Sequence, residues 1–232
     1  SYHKRLAYLE GKNIVMLLLG IDDAGRGPIL GPMFLAGVLI KKEDEKILKE
    51  LGARDSKLIQ HTERIKLAVE IKKQIISFNI QESSPKEIDQ AVETINLNTL
   101  EAKEAAEIIN QLNDNTSQIK VIVDCPSVNT VAWKKTMTKF IKHTKNLDIH
   151  CEHKADFNYP VVSAASILAK VAREEAVEIL KQQYGNIGSG YPSDPYTKAF
   201  LEKHKDMLKT TSIVRKSWAT WKNLIGEPII KK

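Results

Sequence analysis

No stretch of this 232-residue sequence approaches the ~18–20 consecutive apolar residues a bilayer-spanning helix needs, so a membrane-spanning helix is excluded. The apolar run Ile14-Val15-Met16-Leu17-Leu18-Leu19 follows a basic start. It is too short for a secretory signal and lacks a small-residue cleavage site. Cysteine is scarce: Cys125 and Cys151 are the only two, in neither CxxC nor zinc-type spacing. A disulfide scaffold and a zinc module are thereby excluded, and two reduced, buried thiols in a cytoplasmic protein are expected. His150, Cys151, Glu152 and His153 alternate along an expected strand and cannot all face one ion. There is no Gly-Lys-Ser/Thr loop, which removes a P-loop kinase or nucleotidase. Internal repeats and linkers are missing too.

What is present is a sequence 42% hydrophobic and 28% charged, which supports a packed core rather than disorder. The formal net charge is +6 and it is uneven. From Leu201 onward eight Lys/Arg stand against three acids (Glu202, Asp206, Glu227). A basic end beside an acidic site fits an enzyme of nucleic acids, with a solvated helix surface as the plain alternative.

Apolar runs predict strands at Ile14–Ile21, Met33–Ile40, Ile75–Gln81, Ile119–Asp124 and Asp148–Glu152. Helical spacing predicts helices over Thr62–Lys73, Leu97–Leu112 and Ser163–Gln183, the last with Ile167, Val171, Ala172, Ala176 and Ile179 on one face. Ser84-Pro85-Lys86-Glu87 reads as a capping box with Pro at the first helical position. The expectation is an α/β fold: a mixed sheet with helices on both faces, spanning residues 14–190, and a small basic helical module at 191–232.

The chemistry is concentrated in Gly20-Ile21-Asp22-Asp23-Ala24-Gly25-Arg26-Gly27-Pro28. Two carboxylates leave a buried strand and meet a glycine-rich basic turn. Gathered carboxylates repel each other, and a bound cation relieves that. Gly25 and Gly27 allow close approach of an anion to the backbone, and Arg26 adds a fork for phosphate. Alone, the segment reads more readily as a strand followed by an Asx-turn. Asp124 also ends an apolar strand, and Asp156 precedes the long helix. Four acids from separate segments can hold two Mg²⁺ ions, which suit phosphodiester hydrolysis.

These motifs, with Asp55-Ser56-Lys57, Lys154-Ala155-Asp156, Tyr159-Pro160-Val161-Val162-Ser163-Ala164-Ala165-Ser166, Gly188-Ser189-Gly190-Tyr191-Pro192-Ser193-Asp194-Pro195 and Val214-Arg215-Lys216-Ser217-Trp218, occur in one order over nearly the whole chain. In that order the sequence resembles ribonuclease HII of the archaeal type, which is similar to the catalytic subunit of eukaryotic ribonuclease H2. The resemblance implies a ribonuclease H-like fold with a C-terminal helical module. It also implies metal-dependent endonucleolytic cleavage of RNA–DNA hybrids and of DNA duplexes containing ribonucleotides, leaving 3′-hydroxyl and 5′-phosphate ends. Its four metal-binding acids fall on Asp22, Asp23, Asp124 and Asp156, with two Mg²⁺ or Mn²⁺ ions as cofactors. Its 2′-hydroxyl-reading motif falls on Gly25, Arg26 and Gly27, its junction-sensing tyrosine on Tyr191 and a phosphate-holding lysine on Lys57. A monomer acting in replication and ribonucleotide excision repair is implied. The residues after Trp221 carry no Gln-x-x-Leu-x-x-Phe-Phe tail, so sliding-clamp contact is unsupported.

One position departs from the family, which has Glu where this sequence has Asp23. The side chain is shorter by roughly 1.5 Å. Three outcomes are open: a main-chain shift that lets Asp23 reach the ion, a site suited to a larger ion such as Mn²⁺, or an attenuated site. An active enzyme is the expectation, because every other site residue is present. A hybrid-binding protein disabled at Asp23 is the competing reading.

Overall fold

A computed structural model describes residues 15–52 and 60–228. Five strands form one sheet in the order β3-β2-β1-β4-β5. β1 (Leu17–Ala24), β2 (Met33–Lys41) and β3 (Ser77–Ser83) are an antiparallel meander. β4 (Ile119–Asp124) and β5 (Leu147–Glu152) add in parallel on the other side of β1. This is the expected mixed sheet. The parallel register pairs Ile21 with Val123, so Asp22 and Asp124 follow at the same level of neighbouring strands.

β1 begins later than its apolar run implies: Ile14 lies outside the described residues, Val15 and Met16 are exposed, and the strand runs on through Asp22 and Asp23 to Ala24. Gly20 does not end the strand. It is the place where the long helix α7 (Pro160–Tyr184) lies directly on the sheet. A Cβ there would come within 2.5 Å of the Val161 carbonyl carbon and oxygen and 2.6 Å of the Val162 nitrogen. Backbone atoms cannot rotate aside. Gly20→Ala is therefore expected to push α7 off β1 and cost about 3 kcal/mol, measured by urea unfolding. A cost well under ~1 kcal/mol would contradict this packing.

Helices cover both faces. On one lie α3 (Pro85–Thr94), α4 (Leu97–Leu112) and α5 (Thr130–Thr138), where Leu19, Ile21, Val121 and Val123 pack against Ile88, Ala105, Ile109 and Trp133. On the other lie α1 (Glu45–Glu50), α2 (His61–Gln74) and α7, where Leu18, Ala24, Ile122 and Ala36 meet Leu48, Ile71, Val161 and Ala165. The capping box at Ser84 and Glu87 is formed. α7 starts at Pro160, three residues before the expected Ser163, because Pro at the first position forfeits only an N–H that would have no helical partner. Its Ile179, expected on the buried face, is 54% exposed. By that point the helix has turned about a third of a circle from the Ile167 stripe, and Val177 and Leu180 make the contacts. After the four-residue helix α6 (Ala155–Asn158) and α7, the chain closes with α8 (Pro195–Lys203), α9 (Lys205–Leu208) and α10 (Ala219–Ile225). Their Phe200, Leu201, Leu208 and Trp221 share a third core with Ile29 and Leu30 of the β1–β2 turn and Val177 of α7.

Candidate active site

Strand alternation sorts the four predicted acids. In β1, even-numbered residues face α7 and odd-numbered ones face α4. Asp22 and Asp124 share the α7 side, and Asp156 joins them from α6. Ligand atoms of Asp22, Asp124 and Asp156 lie within 4.8 Å of one another, with Asp22 and Asp156 buried. Asp23, one residue along, is outside this trio. Two local bonds set the arrangement: Asp23 N–H donates to Asp22 Oδ1 at 2.8 Å, and Ala155 N–H donates to Asp124 Oδ1 at 3.1 Å. The second bond ties the end of β4 to α6. Lys154, just before α6, holds a left-handed backbone (φ 58°), which costs a residue with a side chain about 1 kcal/mol or more. An all-oxygen set of closely spaced carboxylates suits a hard divalent cation, and among the described residues it is the one His/Cys/Asp/Glu group so placed. His150, Cys151 and His153 form no such group.

Burial, then the neighbouring Asp23 and Asp124 charges, raise the Asp22 carboxyl well above the usual range, against the pull of the Ser166 hydroxyl. Burial also lifts Asp23 to about 6, with Arg26 opposing and Asp124 adding. Glu101 and Glu104 on α4 are lifted by burial to about 8. Acids raised on folding bind protons more tightly in the folded state, so their stabilisation is complete below the unfolded pKa values near 4 and is lost as pH climbs through about 6 and then about 8. With chelator present, the melting temperature is expected to fall between pH 5 and pH 8. A divalent cation held by the trio would compete with protons there, so added Mg²⁺ is expected to raise it several degrees more at pH 8 than at pH 5. An equal Mg²⁺ shift at both pH values would contradict the account.

The Gly25-Arg26-Gly27 turn is held from behind. The fully buried Arg215 donates from Nη2 to Gly25 O (2.6 Å), from Nη1 to Arg26 O (2.8 Å) and from Nε to Gly31 O (3.1 Å). The Trp218 indole donates to Gly27 O at 3.2 Å. In a trans peptide the carbonyl and the next amide point opposite ways, so the Arg26 and Gly27 N–H groups point away from Arg215. Gly25 has φ 89° and would place a Cβ 2.5 Å from Arg173 Cδ, so only glycine serves there. Arg26 differs from expectation: its fork is spent on α4, with Nη1 on Glu101 Oε2 (2.6 Å) and Nη2 on Asn98 Oδ1 (2.8 Å).

Tyr191 stands beside this turn. A Cβ on Gly27 would lie 3.5 Å from the Tyr191 ring, and the Arg173 guanidinium sits 5.4 Å from its centroid. The tyrosine's loop is fixed by Asp194, which accepts from Ser189 and Tyr196 amides (2.7 and 2.8 Å), and by Gly190 O, which accepts from Ile29 at 2.8 Å. Asp23, the glycine turn and Tyr191 line one cleft of about 690 Å³ with His61, Arg64, Lys170, Arg173 and Lys181. Of its other acids, Glu174 is engaged by Arg64 and by His61, the latter at 2.6 Å, and Glu178 by Lys181 at 3.6 Å. Lys57 lies outside the described residues.

Ser166, Lys170 and Arg173, none of them among the site residues expected from the sequence, share one face of α7 at helical spacing and run from Asp22 to Tyr191. A polar stripe on an otherwise apolar, alanine-rich helix was the available signal. Glu101, 1% exposed in the middle of α4, was missed as well.

Comparison with known proteins agrees with this geometry. The profile of the family described as Ribonuclease HII matches residues 19–221. The chain is 42% identical to the ribonuclease HII of Methanococcus maripaludis over 213 residues, covering 91% of this chain and 88% of that one. It is 42% identical to that of Methanocaldococcus jannaschii over 225 residues, covering 91% and 96%. The crystal structure of ribonuclease H2 from Pyrococcus horikoshii superimposes with a TM-score of 0.82 at 36% identity, covering 90% of this chain and 97% of that one. The fold, the carboxylate trio drawn from β1, β4 and α6, and a family match over nearly the full described length converge: the chain belongs to the ribonuclease HII family and is a ribonuclease H of type 2.

Proposed function

We propose that the protein cuts the RNA strand of RNA–DNA hybrids and cuts at single ribonucleotides embedded in duplex DNA, leaving 3′-hydroxyl and 5′-phosphate ends. The observation that carries this reading is the cleft, where Asp23, the residue after trio member Asp22, stands side by side with a backbone-presenting glycine turn and an aromatic ring. In the reading, Asp22, Asp124 and Asp156, assisted by Asp23, hold two divalent cations, Mg²⁺ or Mn²⁺. Bound there, the cations supply an activated water and neutralise charge on the leaving oxygen. The Arg26 and Gly27 amides contact the ribose 2′-hydroxyl, the group that separates RNA from DNA. Tyr191 lies against the neighbouring deoxyribose. Arg64, Lys170, Lys181 and Lys57 hold phosphates without reading bases, and Arg215 and Trp218 brace the turn. One copy of the chain supplies every residue named.

The test is cleavage of a DNA duplex carrying one ribonucleotide, with Mg²⁺ and Mn²⁺ in parallel. A single cut on the 5′ side of the ribonucleotide is expected, with an all-DNA duplex left intact. Binding without a cut under either ion overturns the proposal. Tyr191→Ala is expected to slow cutting at the lone ribonucleotide about tenfold or more, since aromatic stacking contributes roughly 1–3 kcal/mol. Cutting of a continuous RNA–DNA hybrid should fall less. Equal losses on both substrates would remove the junction-sensing role.

A further inference from the structure

Asp23 shares its side of the sheet with a carboxylate that the trio does not include. β1 alternation turns Asp23 toward α4, and there Glu101 is 1% exposed. One Glu101 oxygen, Oε2, accepts from Arg26 Nη1 at 2.6 Å. The other, Oε1, is buried with no hydrogen-bond partner. A buried carboxylate oxygen left unpaired is costly, so its surroundings call for an occupant. Glu101, Asp22, Asp23 and Asp124 line one small cavity, closed by the apolar walls of Ile21, Leu35, Val123, Pro126 and Trp133. Its volume is about 10 Å³, room for the centre of a single water molecule. Such a water would have several carboxylate oxygens to bond.

The α4 backbone is anchored for this purpose. The Trp133 indole donates to Asn98 O at 3.0 Å, and Asn98 Oδ1 takes the second arm of Arg26 at 2.8 Å. Glu101 is thus held between a fixed guanidinium and the cavity. Asp23 has a short side chain, and the carboxylate that shares its small cavity from α4 is Glu101.

We infer that Glu101 is a positioning residue of the metal centre: through a water seated in this cavity it supports the divalent cation on the Asp23 side and makes up for the reach Asp23 lacks. The inference rests on the proposed reading of the acids as a cation site. It names no new ligand chemistry, since the occupant is a hard divalent ion such as Mg²⁺ or Mn²⁺, held by oxygen atoms.

The experiment is calorimetric titration of the full chain with Mn²⁺ alone, without nucleic acid. Residues that support a metal through a ligand or water change affinity by roughly 10–100-fold when replaced. Glu101→Gln, which keeps the shape and the Arg26 contact, is expected to weaken Mn²⁺ binding about tenfold or more. Asn98→Ala, which loosens the Arg26 guanidinium against Glu101 but leaves the carboxylate in place, is expected to weaken binding less than Glu101→Gln does. In an Asp23→Glu background the Glu101→Gln penalty is expected to shrink below about threefold, because the longer side chain restores the reach; that coupling is one a merely structural Glu101 would not produce. Should Glu101→Gln fail to fold, Glu101→Asp, which keeps the charge and withdraws it from the cavity, is expected to give the same weakening. Wild-type Mn²⁺ affinity in the Glu101 variants overturns the inference and leaves the carboxylate trio untouched. No Mn²⁺ uptake by the wild type overturns the inference and the cation-site reading together.

Discussion

Asp22→Asn is expected to reduce cleavage of an RNA–DNA hybrid by roughly 10³-fold or more, since charge stabilisation at the reacting phosphate is among the largest single contributions to catalysis. Hybrid affinity should stay within a few-fold, because the cationic cleft wall is unaltered. The same substitution should make the metal-free protein more stable. Asp22 is buried beside Asp23 and Asp124, and burial and both charges work against its ionised form. Asn removes that charge and keeps an oxygen to accept the Asp23 amide, which lies 2.8 Å from Asp22 Oδ1. Lost activity with gained thermal stability is the pattern of a site strained for function. A variant that loses both activity and stability would show Asp22 to be a structural acid.

Arg215→Met is expected to cost about 3–5 kcal/mol of stability and to disable cleavage even in the folded fraction. Arg215 is fully buried, its pKa is pushed down to about 9 chiefly by burial, and its donors satisfy the carbonyls of Gly25, Arg26 and Gly31. Methionine fills the space but leaves three buried carbonyls without a donor, at roughly 1–3 kcal/mol each. Part of that is offset because the cation no longer has to be desolvated. The glycine turn then loses the brace that aims its amides. Arg215→Lys separates charge from geometry: an ammonium cannot reproduce the guanidinium fork, so Lys should recover little. Urea unfolding and cleavage at low temperature measure the two effects. Full recovery by Lys would mean that charge alone, not the fork, supports the turn.

Much of the sheet was legible because its inner strands, β1, β2 and β4, are largely buried and read as apolar runs. The register was not. The first strand is expected over Ile14–Ile21, ending one residue past Gly20, since a glycine after an apolar run reads as an approaching exit. In the structure that glycine is where α7 packs on β1, a demand set by a residue some 140 positions away. α5 was missed for a local reason: its segment Thr130-Val131-Ala132-Trp133-Lys134-Lys135-Thr136-Met137-Thr138 is rich in β-branched residues with weak helix propensity. It is held instead by Asn129, which caps Ala132, and by the burial of Trp133 and Met137.

At the site, Asp22, Asp124 and Asp156 each sit in a recognisable segment, and the structure gathers their ligand atoms within 4.8 Å of one another. Period-2 alternation placed Asp23 on the other face, a consequence already contained in two consecutive acids on one strand. Arg26 was read as a phosphate fork because its partners, Glu101 and Asn98, lie about 70 residues away and nothing local announces them. The Ser166–Lys170–Arg173 stripe became meaningful only once α7 was laid against β1.

The most direct test of the account is anomalous diffraction from crystals of the protein grown with Mn²⁺. The account predicts a manganese peak about 2 Å from carboxylate oxygens of Asp22, Asp124 and Asp156. Manganese bound elsewhere, with those three carboxylates bare, would contradict it.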